Sequence, residues 1–293
     1  MTDRYKGNIE DVVQYIEHKI RTDWRTVTSN ENFSEATKIE KLTKIALMSK
    51  RSLQLYFKTY MHEGIQSYTS RRRMEYAQLL MKQSDMQLCD VADRLGFANQ
   101  QALSNMMKER YDATPTGKRE ELIGLMEQRI HGMKIDKPRR EFLNAFPVLY
   151  MAYTGNYNDY ASEIFEEESW NRLLWYAESK GWADDEPQYW GIAFDDTDIT
   201  DAYQCRFCAA VSINPRLNYR TNVNDEIKVM TLPEGNYLVY TYRGEYNGLD
   251  AFYDAVIRNL PCPLGCGPIL ERYLNSPADV ADEDLITEVL VPV

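Results

Sequence analysis

The sequence predicts a multidomain protein: an all-α domain with two helix-turn-helix units, then an α+β domain made of two pseudo-twofold-related strand-helix-strand-strand halves. Three observations predict this. One local pattern occurs twice about 50 residues apart, as Ile45-Ala46-Leu47 … Leu53 … Phe57-Lys58 and as Leu95-Gly96-Phe97 … Leu103 … Met107-Lys108. Further on, the run from Val148 to Tyr153-Thr154-Gly155-Asn156-Tyr157 is echoed by the run from Leu238 to Tyr242-Arg243-Gly244-Glu245-Tyr246. Charge divides between the same two regions. Residues 1–140 hold 25 Lys and Arg against 19 Asp and Glu, whereas residues 141–293 hold 9 against 26, within a net charge of −11. A mildly basic region suits contact with phosphate, and a strongly acidic one does not.

In the basic region, Ile9, Val12, Val13, Ile16 and Ile20 recur at helical spacing and predict an amphipathic helix up to Arg21. Trp24 to Phe33 reads as a polar connection. Lys38 to Ala46 reads as the scaffold helix of the first unit, with Ile39, Leu42 and Ile45 inward. Its turn closes over a small residue, Ala46, as the second turn closes over Gly96. Ser49 is a fitting N-cap for a reading helix that ends near Tyr60. Ile65 to Met81 predicts a long connecting helix. Asp85 to Leu95 contains the second scaffold helix, and Asn99 caps a reading helix that runs to about Tyr111. In each reading helix a Leu and a Phe or Met stand four apart on one face, which leaves the other face to a major groove. Two such units can meet successive turns of one duplex, about 34 Å apart. Arg71, Arg72 and Arg73 point three ways round the connecting helix, so nearby carboxylates are expected to hold some of them. Pro115 marks a stop and restart, and Glu120 to Ile130 reads as one more helix. Domains are therefore expected at 1–119 and 144–293, with a helical linker over 120–143.

In the acidic region the two echoed runs read as strands. Further strands are predicted at Trp190–Phe194, Gln204–Ser212, Ile227–Thr231 and Leu285–Pro292. An apolar-periodic helix follows each echo, through Phe165, Trp170, Leu173, Leu174 and Ala177 in one half and Phe252, Tyr253, Val256 and Ile257 in the other. Halves that cannot cover their own sheets are expected to pack about an axis, with a cleft along it.

Residues 5–119 resemble the DNA-binding domain of the AraC/XylS family of bacterial transcription regulators, most of all in Val91-Ala92-Asp93-Arg94-Leu95-Gly96-Phe97-Ala98-Asn99-Gln100-Gln101. The chain departs from that family at Leu103 and Met107, where aromatics are usual, at Asp112, where glycine is usual, and in the ending Pro115-Thr116-Gly117-Lys118-Arg119. Leu and Met fill the same core slots, and Asp tolerates left-handed backbone. Residues 144–293 resemble the GyrI-like effector-binding domain of Rob- and BmrR-type regulators. The markers are Gly155-Asn156-Tyr157, Leu232-Pro233-Glu234-Gly235-Asn236-Tyr237, Arg243-Gly244-Glu245-Tyr246, Glu271-Arg272-Tyr273-Leu274-Asn275-Ser276-Pro277 and Val289-Leu290-Val291-Pro292-Val293. This second resemblance implies sensing of a small organic molecule, often a lipophilic cation, in a cleft of aromatics around a carboxylate. Together the two imply a transcription regulator with double-stranded promoter DNA, an organic effector and RNA polymerase as partners, working in the cytoplasm on the nucleoid.

Side-chain chemistry then nominates residues. Arg donates to guanine and Gln or Asn pairs with adenine, so Arg51 and Gln54 are expected at base edges in the first groove, and Gln100, Gln101 and Asn105 in the second. Lys50, Lys58 and Lys108 are expected on phosphate. Glu288, in an otherwise apolar closing strand, is the expected counter-charge to a cation. Tyr150, Trp170, Tyr189, Trp190, Tyr240 and Tyr273 are the expected walls, since aromatic faces attract cations.

Other chemistries find little support. Residues 1–23 lack the apolar core of a signal peptide, and no apolar run approaches 18 residues, so no membrane span is expected. Cys205 and Cys208 lie in a strand pattern where positions three apart face opposite ways, which disfavours a zinc site with Cys262 and Cys266. The 3 histidines are scattered through the basic region. No cofactor, metal or catalytic residue is expected. The alternatives are a small-molecule hydrolase in which Glu288 activates water, and an acidic module that recruits polymerase.

Overall fold

Helices dominate the first part of the chain because apolar residues recur there at three- and four-residue steps. The computed structural model describes residues 5–28, 31–155, 165–216, 226–262, 264–265 and 267–293. They form two compact units, 1–124 and 125–293.

The first unit comprises α1 (Lys6–Arg21), α2 (Phe33–Ala36), α3 (Ile39–Ile45), α4 (Lys50–Met61), α5 (Ile65–Gln83), α6 (Leu88–Arg94), α7 (Gln100–Tyr111) and the start of α8 (Pro115–Arg129). The unit boundary falls inside α8. Ile9, Val12, Ile16 and Ile20 of α1 are buried in one core with Leu42, Leu53, Phe57, Leu103 and Met107. The α3–α4 and α6–α7 pairs are the two helix-turn-helix units. Both turns are the same motif: Met48 N–H donates to the Thr43 carbonyl and Leu47 N–H to Lys44, as Phe97 donates to Ala92 and Gly96 to Asp93. That geometry puts one residue per turn in left-handed backbone. In the second turn it is Gly96, at φ +71°; in the first it is Leu47, at φ +50°, not Ala46. Ala46 instead ends α3 in ordinary helical backbone and is wholly buried.

Leu47 is thus strained and also 84% exposed. Leu47→Gly is expected to raise stability by about 0.5–1 kcal/mol, since it relieves left-handed strain and removes no packing. A higher denaturant midpoint of the full chain checks this. Gly96 has the opposite constraint: a Cβ there would stand 3.0 Å from Phe33 and 3.1 Å from Trp24.

Trp24 and Phe33 are therefore more than a polar connection. Their rings meet edge to face at 6.0 Å, beside the second turn. Arg73 of α5 lies over the Phe33 and Phe97 rings, 4.0 and 3.7 Å from their centroids, and donates twice to the Leu95 carbonyl at 3.1 and 2.9 Å. The expected carboxylate partners belong to its neighbours. Arg71 pairs with Glu63 and Glu75, and Arg72 with Glu17 and Glu75.

The second unit is an antiparallel sheet of eight strands among the described residues, in the order β1-β6-β8-β7-β3-β4-β2-β5. The strands are β1 (Arg139–Leu143), β2 (Phe146–Thr154), β3 (Tyr189–Ala193), β4 (Arg206–Ser212), β5 (Ile227–Leu232), β6 (Gly235–Arg243), β7 (Ile269–Tyr273) and β8 (Ile286–Pro292). Helix α9 (Phe165–Ser179) follows β2, and α10 (Leu249–Arg258) follows β6. The halves β2-α9-β3-β4 and β6-α10-β7-β8 repeat in detail. Gly155 N–H donates to Cys205 just before β4, and Gly244 N–H donates to Leu285 just before β8. Short 3-10 turns, Ala202–Gln204 and Asp282–Asp284, precede those closing strands. The axis runs between β3 and β7, where the two halves pair.

Two strands differ from expectation. Arg139–Leu143, placed in the linker by sequence, is the edge strand β1, paired with β6. Charged residues, Arg139 and Glu141, occupy one face of the strand and the exposed Phe142 the other, so no apolar alternation marks it. Ile269–Tyr273 forms β7, which the charged pair Glu271-Arg272 conceals.

Candidate nucleic-acid interface and effector site

Each reading helix starts where a side chain caps it. Ser49 Oγ accepts from Ser52 N–H at 3.2 Å, and Asn99 Oδ1 accepts from Ala102 N–H at 2.9 Å. Counted from those caps, Leu53 and Phe57 hold the same positions as Leu103 and Met107, and all four are wholly buried. The rest of each helix is thereby set in register. Lys50 corresponds to Gln100, Arg51 to Gln101, Gln54 to Ser104, Leu55 to Asn105 and Lys58 to Lys108. Lys50, Arg51, Gln54, Lys58, Gln100, Gln101, Asn105 and Lys108 are all exposed. Gln101 Nε2 donates to Asn105 Oδ1 at 2.7 Å, which couples two of the expected base readers. Asp112 ends α7 at φ +50°, in the left-handed backbone its position requires, and His62 ends α4 likewise at φ +57°.

In the second unit, α9 lies on one face of the sheet, tied down by Tyr153 hydroxyl to Ser169 at 2.8 Å and by burial of Leu173 and Ala177 among Leu149, Met151, Ala209 and Val211. Strand alternation assigns Tyr189, Tyr240, Gly191, Glu271 and Tyr273 to this helix-bearing face. Glu288, Tyr150 and Trp190 belong to the opposite face, with its own buried cluster of Val148, Ile192, Leu270 and Leu290. The seven expected effector residues are therefore split by the sheet.

Glu288 is the principal correction. Its carboxylate is held by Arg139 at 2.6 Å and by Arg272 at 2.5 Å, and both guanidiniums also pair with Glu141. Arg272 in turn lies 5.4 Å from the Trp190 ring centroid. Burial pushes the Glu288 carboxyl up, but hydrogen bonds from Arg139 and Arg272 outweigh it and hold the group below its ordinary value. A carboxylate balanced by two guanidiniums has little field left for a cation. It is instead part of an ionic lattice that ties β1 to β8 and β7. Glu288→Gln is expected to cost about 1–2 kcal/mol, because it leaves Arg139 and the largely buried Arg272 to share the single carboxylate of Glu141. Glu141 is also held low, chiefly by its hydrogen bond from Arg272. The stability from both depressed carboxyls is full above about pH 5, past the unfolded glutamate value, and is lost as pH falls through their folded values. Acid titration of wild type against Glu288→Gln measures this.

The carboxylate on the helix-bearing face is Glu271. It stands opposite Gly191 across the axis, and the two occupy the same position in their respective halves. A Cβ on Gly191 would come 2.9 Å from a Glu271 carboxylate oxygen and 2.7 Å from the Tyr273 hydroxyl. One copy of the repeat thus supplies the space and the other the charge. Tyr253 of α10 donates to Glu271 Oε1 at 2.5 Å, and Tyr273 donates to Oε2. Trp170 meets Tyr273 edge-on at 5.1 Å, Tyr246 meets it at 5.6 Å, and Phe207 closes on Gly191. Trp170 is fixed by its indole N–H, which donates to the Trp190 carbonyl at 3.1 Å. Tyr240 lies on the same face, its hydroxyl buried without a hydrogen-bond partner among the described residues.

Glu271 is buried, and no Lys or Arg pairs with it among the described residues. Burial raises its carboxyl above the ordinary value despite the two tyrosine hydrogen bonds that favour the charged form. A desolvated carboxylate ringed by aromatics attracts a desolvated organic cation. Glu271 lies within a marker of the GyrI-like resemblance, whereas the carboxylate expected from sequence is Glu288. Tyr240 pairs with Val289, so Glu288 faces away from Tyr240.

Cys208 lies on the face opposite Glu271, and Cys205 precedes its strand with its thiol donating to the Thr200 carbonyl at 3.6 Å. Cys266 lies outside the described residues, as do Asn156 and Tyr157. No group of three or more His, Cys, Asp or Glu is arranged to hold a metal among the described residues, and none of their helices is long and apolar enough to cross a membrane.

Comparison with known proteins matches this layout. Residues 136–293, more than half of the chain, match the GyrI-like small molecule binding domain, and residues 42–121 match a helix-turn-helix domain. Regulatory protein SoxS of Escherichia coli (strain K12) is 28% identical over 93 residues, which are 32% of this chain and 87% of that protein. Probable transcription factor PqrA of Proteus vulgaris is 24% identical over 112 residues, 38% of this chain and 83% of that protein. Among solved structures, EcmrR in a cryo-EM complex with DNA aligns over 87% of this chain and 98% of its own, at 10% identity and a TM-score of 0.41. The chain belongs to the GyrI-like small-molecule-binding family, and ahead of that domain it carries a helix-turn-helix domain of the AraC type.

Proposed function

We propose that this ligand-sensing transcription regulator takes up a lipophilic organic cation against Glu271 and reads promoter DNA through the exposed faces of α4 and α7. The observation that carries the reading is a buried carboxylate with aromatic neighbours and two phenol hydrogen bonds, but no cationic partner among the described residues. In this reading Trp170, Tyr246, Tyr253 and Tyr273 wall the cation. Arg51, Gln54, Gln100, Gln101 and Asn105 meet base edges, and Lys50, Lys58 and Lys108 meet phosphate. Regulation requires the cation to favour one of two arrangements of the chain over the other, because a ligand shifts an equilibrium only by its differential affinity.

The test selects bound fragments from random duplex DNA, with and without a panel of lipophilic cations and their neutral isosteres. Expected is a recurrent bipartite sequence whose affinity changes with cations alone. Neutral isosteres acting equally well would overturn the cation reading, and recovery of the added compound as a hydrolysis product would favour the enzyme alternative. Run-off transcription on the selected promoter, with and without ligand, reads the polymerase step. Arg51→Ala is expected to weaken the selected site by about 1–3 kcal/mol and to relax one base position. Equal loss on every duplex would place Arg51 on phosphate.

A further inference from the structure

Helix α4 exposes a leucine in the middle of its polar face. Leu55 is 62% exposed, although Leu53 and Phe57 already supply the buried side of that helix. Arg51 lies one turn before it and Thr59 one turn after, with Gln54 and Lys58 alongside, and all four are exposed. An isolated aliphatic side chain among cationic and amide groups does nothing for packing. The internal repeat gives its position a meaning: counted from the caps, Leu55 corresponds to Asn105, on the exposed face of α7. Where α7 presents an amide suited to adenine, α4 presents a branched aliphatic group of similar reach. In the major groove the one apolar feature of a base pair is the thymine C5-methyl group.

We propose that Leu55 is a specificity-determining residue that packs on a thymine methyl next to the base pair met by Arg51. This rests on the DNA-binding reading of α4. It makes the first groove contact a mixed one, with a guanidinium hydrogen bond beside an apolar contact, while the second groove is read by amides.

The experiment uses the full chain and the duplex it selects. Each thymine of the α4 half-site is replaced in turn by uracil, which removes only the methyl group, and affinity is measured for wild type, Leu55→Ala and Leu55→Asn. Wild type is expected to lose about fourfold at one position, the equivalent of one buried methyl group. Leu55→Ala should bind thymine and uracil alike there, and Leu55→Asn should move the preference at that pair toward adenine. Leu55 is exposed, so both variants are expected to unfold at the wild-type temperature. The proposal is overturned if no uracil is felt by wild type, if Leu55→Ala feels it equally, or if the half-site holds no thymine. It is also overturned if Leu55→Ala abolishes transcription with DNA affinity and preference unchanged, since Leu55 would then contact protein. Failure of wild type to select any sequence would remove the DNA-binding reading as well, and is seen before any uracil is introduced.

Discussion

Glu271→Gln is expected to lower affinity for a lipophilic cation by about 100-fold or more, the usual effect of removing one partner from a buried charge pair. Neutral ligands of the same shape should lose little. The glutamine is nearly isosteric and can keep hydrogen bonds with Tyr253 and Tyr273, so the walls of the site stay in place. Calorimetric titration of wild type and variant with a cation and its neutral isostere separates charge from shape. Equal losses for both ligands would show that the carboxylate shapes the pocket and does not balance charge. The pH dependence has a definite sign. Only the ionised carboxylate attracts a cation, and burial has raised the Glu271 carboxyl above its ordinary value. Wild-type affinity should therefore keep rising with pH beyond the range in which an exposed glutamate has finished titrating, at about pH 5 to 6. The variant should show no such rise. Without ligand, the variant is expected to be more stable than wild type above the folded value, because burying a charged carboxylate opposes folding there. A site that loses stability to gain charge in this way is a familiar compromise between function and stability.

Arg73→Ala is expected to destabilise the first unit by about 3–4 kcal/mol, from the loss of two desolvated cation–ring contacts and two charge-assisted hydrogen bonds. Arg73 joins the connecting helix α5 to the Leu95 carbonyl at the second turn, and its rings come from Phe33 and Phe97. Burial lowers its pKa to about 10, so it remains charged at neutral pH. Arg73→Lys keeps the charge but loses the planar fork and its stacking, and should fall between wild type and alanine. Denaturant unfolding of the full chain, followed at Trp24 beside Phe33, reports the change. A loss below about 1 kcal/mol would mean that Trp24 and Phe33 hold the turn without the guanidinium.

Much of the first unit was legible because its signals are local. Ser49 and Asn99 cap their helices through bonds to residues three further on, and the spacings Leu53–Phe57 and Leu103–Met107 mark the buried faces directly. Less visible there was the left-handed residue of the first turn. Leu47, a branched aliphatic residue, gives no sign of that conformation. In the second unit the repeat and its glycine turns were readable, but β1 and β7 were not, because charged residues break the apolar alternation in both. The same strands decide the site. Without β7 in the sheet, Glu271 had no face, and Glu288 was the carboxylate in the visible strand. The lattice of Arg139, Glu141, Arg272 and Glu288 joins residues up to 149 positions apart, a partnership that no window of sequence displays.

The two outermost strands of the sheet are exchanged between its halves. The segment leading into the first half, β1, pairs with β6 of the second, and the segment leading into the second half, β5, pairs with β2 of the first. Neither half, cut free, would keep its own border covered. During synthesis β1 emerges nearly a hundred residues before the strand it must meet, since Arg139 pairs with Val239. Assembly of the whole sheet therefore waits on the last third of the chain, with the slow search that such distant closure imposes. A nascent chain stalled before β6 would display a bare edge, open to a neighbouring polypeptide.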